Sequence, residues 1–492
     1  MASTSATEKP GGIVQTSLSL SEDGQPASSA GAVEQKPKKR SRLRRFLWDS
    51  LDKSPEERAF VNKADWFIMS YVCIAYFVKY LDQTNVTNAY VSGMKEDIDM
   101  TGQDYNLLQT MFTSGYVIGN LASQLVMLKV RPSIWLPALE FIWSLLVMAM
   151  GAAKNLETLL VLRFFIGLLE ASAFPGILTL LGNWYKPEEL GKRSSIFIAT
   201  SAAGSMFSGY LQSALYSGMN GKHGIAAWRW LMIFDGIIGI PVSLYGFFAV
   251  PDSPTNTRAY WLNTRDREIA KQRMEEVGRK PPSKLTWRIV KESLSMWPMW
   301  LFPIAFACHV LGIRVYNYFN IYLKSTGLYS VQDVNNIPTG GFAYQIVMAL
   351  IYAWVSDYYQ TRWWVVCIAC MMSMIGTIIL SVYPEHNHAA MMAGWFMTYG
   401  ETGAGALVMT MVNEACSFSS EHRIITIGWT EAFAYAMSAW VILFAYPSGD
   451  APKFAVGYEL ATMFFAIEMI VVILIAYCMK RYPPGEKSSA AG

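Results

Sequence analysis

Leu162-Arg163-Phe164-Phe165-Ile166-Gly167-Leu168-Leu169-Glu170-Ala171-Ser172-Ala173-Phe174-Pro175 is an apolar stretch of helical length that carries a guanidinium and a carboxyl group inside it. Arg163 and Glu170 are two turns apart, about 10 Å along a helix axis, and lie on nearly the same face. A membrane helix keeps ionisable groups at mid-depth mainly where they line a pathway or meet a charged cargo. The stretch therefore points to a transport protein before any other feature is weighed.

Working outward, the same apolar character recurs in twelve windows: 66–88, 106–128, 134–152, 158–182, 194–217 and 228–249, then 298–323, 337–357, 363–383, 389–416, 424–446 and 456–479. Each is near the ~20 residues that a span requires. The chain of 492 residues is 53% hydrophobic and only 16% charged, well below a soluble domain. A net charge of +3 is too small to point to nucleic acid. Cys73, Cys308, Cys367, Cys370, Cys416 and Cys478 all fall within or at the ends of apolar windows. They read as free, buried, small apolar residues, with no metal site expected.

The basic residues set the orientation. With both ends in the cytoplasm, 31 of the 40 Lys and Arg lie in tails and inner loops, six in outer loops and three (Lys79, Arg163, Arg314) within spans. That bias follows the positive-inside rule. The expected organisation is a disordered cytoplasmic tail at 1–64, a six-helix half at 65–251, a cytoplasmic linker at 252–297, a second six-helix half at 298–480 and a tail at 481–492. Within the linker, Arg265 to Arg279 reads as helical. The fold class is thus an all-α membrane protein of twelve transmembrane helices in two six-helix halves. In the first tail, the basic run Lys36–Arg45 precedes Phe46, Leu47 and Trp48. It reads either as a segment resting on an anionic inner leaflet or as a solvated charge run that only fixes topology.

Several polar residues in the spans are candidates for the chemistry. In span one, Lys79, Asp82 and Asn85 are spaced by three and share a face, with Gln83 between them. Lys79 and Asp82 could form an ion pair that only makes the helix tolerable in lipid; alternatively Asp82 carries a proton. Arg163 is a permanent cation. It pairs with Glu170 or Asp82, or its fork receives a carboxylate cargo, and an anion could break a resting pair. Asp82 and Glu170 in a closed cavity could exchange a proton near neutral pH, a coupling ion that needs no other cofactor. Glu401, Glu431, Glu459 and Glu468 are weaker candidates; Glu401 falls in span ten at about the depth of Glu170, between glycines that would loosen the helix, and Glu459 is expected at the interface. Asn317 in span seven is a further cargo ligand to test. Nothing resembles a nucleotide-binding loop, which argues against an ATP-driven pump, and no enzyme activity is expected.

The motifs Leu81-Asp82-x-Thr84-Asn85, Arg163-x-x-x-Gly167-x-x-Glu170 followed by Pro175-Gly176, Trp184-Tyr185 before Glu189-x-Gly191-Lys192-Arg193, and Trp228-Arg229-Trp230 resemble the anion:cation symporter family of the major facilitator superfamily, across residues 65–483. Val91-Ser92-Gly93-Met94-Lys95-Glu96-Asp97 and Gly204-Ser205-Met206-Phe207-Ser208-Gly209-Tyr210-Leu211-Gln212 look like its fungal allantoate-permease branch, nearest the pantothenate and biotin carriers. The resemblance implies proton-coupled uptake of an organic anion at the plasma membrane by alternating access, functional as a monomer. Asp82 and Glu170 would be proton sites and Arg163 the anion site. One departure matters: where bacterial and animal relatives have Arg after the span-one Asp, this chain has Gln83. One cation fewer should suit a monocarboxylate with a polar or amide body, unless Lys79 restores the charge; the order pantothenate, then biotin, then allantoate is what the resemblance alone implies. The rival readings are a non-transporting nutrient sensor, which has no need of an acid pair, and a drug exporter, whose cationic cargoes Arg163 would repel.

Overall fold

A computed structural model of the chain describes residues 53–127, 130–276, 287–359, 361–384, 387–447 and 450–483. The basic run Lys36–Arg45 and the second tail beyond 483 lie outside the described residues. In chain order the helices are α1 (Pro55–Asp97), α2 (Asp104–Met127), α3 (Pro132–Met150), α4 (Leu156–Trp184), α5 (Pro187–Met219) and α6 (Ala227–Ala249). Two shorter helices follow, α7 (Thr264–Glu276) and α8 (Trp287–Leu294). The second set is α9 (Pro298–Thr326), α10 (Val331–Tyr359), α11 (Trp363–Val382), α12 (His388–Met397) with α13 (Gly405–Ala415), α14 (Ser420–Ala445) and α15 (Ala455–Arg481).

These helices occupy all twelve predicted windows. Among the described residues nine of them are long and apolar enough to cross a membrane by length and composition alone. The exceptions have visible causes. Helices α2 and α5 turn Asn106, Ser205, Ser208 and Gln212 inward, and α12–α13 is interrupted at 398–400. The surface is inverted relative to a soluble protein. Phe165, Ile237, Phe248, Trp354, Phe444 and Ile470 face outward, whereas Lys79, Asp82, Arg163, Glu170 and Asp235 are buried. In a bilayer this distribution is the stable one.

The two sets of six repeat one packing scheme. Helix α1 packs on α5, α2 on α4 and α3 on α6; correspondingly α9 packs on α14, α10 on the turn Glu401–Ala404 between α12 and α13, and α11 on α15. Across the halves α5 meets α10 and α2 meets α14, two contacts that exchange with each other when the repeats are exchanged. The helices break at matching places. Helix α4 loosens after Glu170, where Pro175 offers no N–H and its ring crowds the carbonyl of Ala171. Its counterpart is the glycine-flanked turn at Glu401.

Polar contacts that join the halves gather at the end where α1 and α9 finish. Asn320 donates to Asn88 (3.0 Å), Asn335 to Ser92 (2.9 Å), Tyr318 to Asn106 (2.8 Å), Asn106 to the Tyr446 carbonyl (2.5 Å), and Lys324 pairs with Glu96 (2.6 Å). At the opposite end the ion pairs among the described residues do not cross between the halves: Arg362 meets Asp357 and Glu414 in the second half, and the others named here lie in the first half and α7. Arg193 grips both oxygens of Asp65 at 2.7 Å, Arg273 meets Glu189 (2.5 Å) and Glu57 (3.2 Å), and Lys63 meets Asp266 (2.8 Å). There the Lys186 ammonium, 2.8 Å from Glu276, holds that exposed carboxyl below its ordinary range.

Two expectations need correction. Residues 55–64, assigned to a disordered tail, open α1: Ser54 caps the Glu57 N–H, Pro55 sits at the first helical position, and Phe60, Val61 and Ala64 are buried. The sequence Ser54-Pro55-Glu56-Glu57 is a helix start whose apolar face packs beneath Trp184. Helix α8 lies within the expected cytoplasmic linker but outside its expected helical segment, and packs on α14.

The seam between α2 and α4 is set by glycine. A Cβ on Gly167 would stand 2.1 Å from the Phe112 carbonyl oxygen, and one on Gly119 would stand 2.1 Å from that of Leu168. Gly167→Val should therefore abolish the monodisperse peak of the detergent-extracted protein in size-exclusion chromatography. Gly218→Ala, whose added methyl meets nothing within 4 Å, should leave that peak intact; equal profiles for both would refute the packing argument.

Candidate functional site

The shared face of α1 is buried along its length. Lys79 is 2% exposed, Asp82 3% and Asn85 0%, because α4, α5 and α6 close over it. The carboxyl groups of Asp82 and Asp235, the latter from α6, lie within hydrogen-bonding reach of each other. Asp82 Oδ2 and Asp235 Oδ1 have no other partner among the described residues. Two enclosed carboxyls at this range repel when both are ionised, and one proton between them would relieve that.

From this pair a hydrogen-bond chain runs to the other half. Asn85 Nδ2 donates to Asp235 Oδ2 (2.5 Å), Ser208 Oγ donates to Asn85 Oδ1 (2.5 Å), and Asn88 Nδ2 donates to Ser208 Oγ (2.6 Å). Asn320 Nδ2 on α9 then donates to Asn88 Oδ1 and to the Val334 carbonyl (3.1 Å).

Lys79 does not pair with Asp82 one turn on. Its ammonium lies 3.9 Å from Glu170 Oε1 and 3.3 Å from the Tyr116 hydroxyl, with the Tyr116 ring centroid at 4.9 Å. Gln83 donates to the same Glu170 oxygen. The residue in place of the relatives' arginine thus holds the carboxyl as a neutral donor.

Arg163 is 1% exposed. Its guanidinium lies over the Phe112 ring, 4.3 Å from the centroid, and Nη2 reaches Gln109 Oε1 at 3.5 Å. Among the described residues no carboxylate lies within 4.0 Å of it, and Nε has no hydrogen-bond partner. The expected resting pair with Glu170 or Asp82 is not formed, because Glu170 turns to Lys79 and Gln83 while Asp82 turns to Asp235.

The structure thus brings Asp82, Gln83, Asn85, Glu170 and Lys79 into one connected region around α1, with Arg163 on α4. Asn317 is half-buried on the 3₁₀ turn Arg314–Tyr318 of α9 and joins the network by no hydrogen bond or ion pair among the described residues. Glu401 lies in the second half, hydrogen-bonded to His309. Glu459 is exposed, as expected of an interfacial residue.

Sequence reasoning missed Asp235, a lone acid in the middle of span six whose depth alone was a signal. It also missed Glu140 in span three, which accepts from Tyr71 at 2.7 Å. His309, Glu401 and Glu468 have donor atoms within 4.8 Å of one another, a spacing a cation could satisfy. The imidazole Nδ1 that would ligate is already committed to Glu401, so the group is not read as a metal centre.

The sequence model of the Major Facilitator Superfamily matches residues 72–440. The chain is 39% identical over 413 residues to the MFS transporter PfmaC of Pestalotiopsis fici, covering 83% of this chain and 78% of that one. It is 34% identical over 406 residues to the pantothenate transporter liz1 of Schizosaccharomyces pombe, covering 82% and 78%. Among solved structures, a D-xylose-proton symporter superposes with a TM-score of 0.60 at 14% identity, over 85% of this chain and 98% of that one; at that identity the likeness concerns the fold.

The chain from Asp235 to Asn320 predicts a measurable cost. Asn85→Ala leaves Asp235 and Ser208 each short of a partner, a loss of about 1–3 kcal/mol for each buried group left unsatisfied. Its unfolding temperature in detergent should fall clearly below wild type, whereas Asn317→Ala should match wild type. Equal melting of both variants would remove the chain from the account.

Proposed function

The chain belongs to the Major Facilitator Superfamily, and from that premise we propose that it is a proton-coupled symporter importing a small carboxylate across the plasma membrane, with pantothenate the leading cargo and both termini in the cytoplasm. The observation that carries the reading is Arg163. A buried guanidinium with no carboxylate within 4.0 Å is costly to keep, and an arriving anion relieves that cost through a bidentate contact. The ring of Phe112 beneath it offsets part of the charge while leaving the fork available.

Proton coupling rests on the acids beside it. Asp82 with Asp235 can hold one proton between them. Glu170 is held by Lys79 and Gln83, so a proton on Glu170 would loosen its tie to α1 and release Lys79 toward the cargo. The basic bias of the loops supports placing the end joined by Asn88–Asn320 and Glu96–Lys324 outside. Pantothenate is favoured by a relative named as its transporter and by Arg163, which offers one cation to the one carboxylate of a hydroxylated amide body. The same chemistry admits biotin.

Arg163→Lys keeps the charge and loses the fork. Pantothenate affinity should drop on the order of tenfold to a hundredfold, the worth of a charge-assisted hydrogen bond at roughly 1.5–3 kcal/mol, with surface expression unchanged. Unaltered affinity, or equal affinity for the amide analogue of the cargo, would retire the anion role.

Asp82→Asn and Glu170→Gln mimic the protonated acids. In cells lacking their own pantothenate carrier and synthesis, the wild-type protein should restore growth on low pantothenate, better at acidic than at alkaline pH. Both variants should lose accumulation against a gradient yet retain exchange of labelled for unlabelled cargo. Accumulation that survives in both and still collapses with an uncoupler would place the proton elsewhere, and rescue of a biotin-carrier mutant alone would change the cargo to biotin.

A further inference from the structure

Where the first half holds Asp82, Glu170 and Asp235 on α1, α4 and α6, the second half brings its own titratable side chains together from the matching elements. His309 comes from α9, Glu401 from the turn before α13 and Glu468 from α15. All three are buried, both glutamates completely. His309 Nδ1 is hydrogen-bonded to Glu401 Oε1 and lies 3.5 Å from Glu468 Oε1. Glu401 Oε2 and both oxygens of Glu468 have no hydrogen-bond partner of ordinary geometry among the described residues.

The groups that face this cluster are weak acids or neutral. The thiols of Cys308 on α9 and of Cys367 and Cys370 on α11 face Glu468, with Cys370 nearest, and Tyr352 on α10 faces Glu401. Ser373 on α11 accepts from the Glu401 N–H at 3.2 Å. On α14, which packs against α9, Ser438 is taken up by Arg314 at 3.1 Å. No Lys or Arg lies within ion-pairing distance of either carboxyl among the described residues.

Charge counting then decides the occupant. An imidazolium between two carboxylates leaves one negative charge uncompensated in an enclosed apolar site, and the addition of one proton makes the cluster neutral. A metal ion fits less well. Nδ1 is engaged by Glu401, and the Nε2 edge is packed on the backbone of Gly405, where a Cβ would stand 2.3 Å from Nε2. We propose that His309, Glu401 and Glu468 form a second proton-binding site, in the C-terminal half, that takes one proton from water and holds it between the two glutamate carboxyls beside a charged His309.

The proposal rests on the proton-coupled reading of the first half and adds to it a count. One proton from each half, with a monovalent anion, moves one net positive charge inward per cycle. In proteoliposomes, reversal potentials for radiolabelled pantothenate should give two protons per cargo for wild type, and an inside-negative potential should stimulate uptake. Glu468→Gln should give one proton per cargo and uptake indifferent to potential. A wild-type ratio of one, or an unchanged ratio in Glu468→Gln, overturns the site.

Infrared titration of the detergent-solubilised protein reads the same cluster without any cargo. Glu468→Gln should remove a protonated-carboxyl band that Asp82→Asn leaves in place, and persistence of every such band in Glu468→Gln overturns the site. Loss of the band alongside wild-type liposomes that take up no pantothenate would uphold the site and retire the cargo. Gly405→Ala keeps every titratable group but displaces the imidazole; it should shift the same band, and a spectrum identical to wild type counts against the cluster. One equivalent of tightly bound transition metal in the purified wild-type protein would overturn the proton in favour of a metal ion.

Discussion

Arg163 cannot give up its charge, and inside a bilayer there is no water to soften it. The helix that carries it is brought within backbone contact of α2 by Gly119 and Gly167, and the guanidinium settles on the face of Phe112. Among the described residues, the two carboxyls expected to pair with it turn elsewhere. Glu170 leans to Lys79 and Gln83, and Asp82 leans to Asp235. The arrangement therefore separates charges that could have cancelled. It keeps a cation available at the cost of burying it, a compromise that stability alone does not favour.

The repeated packing of the two halves extends this logic. Each half is a bundle with a loosened helix at its fourth member, and each places a glutamate at the loosened point. A helix break frees backbone groups and small residues for movement, so each glutamate sits where the helix can respond. The halves differ in what surrounds that glutamate. The first presents a lysine and an arginine on separate partners; the second presents one histidine, enclosed by thiols and a second glutamate. On the proposed reading, anion recognition and charge storage would be divided between them.

How much of this could be read from the residues alone follows from what a helix period encodes. The twelve windows, the face shared by Lys79, Asp82 and Asn85, and the acid and base of span four are all relations within one helix, and each was legible. Relations between helices were not. Nothing in the spacing says that Lys79 reaches across to α4 in preference to Asp82 on its own face, because that choice is made by the height at which α1 and α4 pack. Asp235 and Glu468 were visible as acids at lipid depth, but their partners lie far away in sequence and in no regular register. The start of α1 was missed for another reason: its Ser54-Pro55-Glu56-Glu57 signal lies beside a polar tail whose composition dominated the reading.

The hydrogen-bond chain from Asp235 through Asn85, Ser208 and Asn88 to Asn320 has a polarity. Each link donates in the same sense, toward the Asp235 carboxylate. A proton seated on Asp235 Oδ2 would turn that end from acceptor into donor. Asn85 would then have to present its carbonyl oxygen, Ser208 would rotate its hydrogen toward Asn88, and Asn88 would be left with its amide nitrogen facing that of Asn320. Two donors cannot bond to each other. By parity alone, a proton on Asp235 Oδ2 and an intact Asn88–Asn320 tie between the halves exclude one another, whereas a proton on Oδ1, shared with Asp82, leaves the chain intact; which oxygen holds the proton is thus expected to be felt at the far end without any side chain travelling the distance between them.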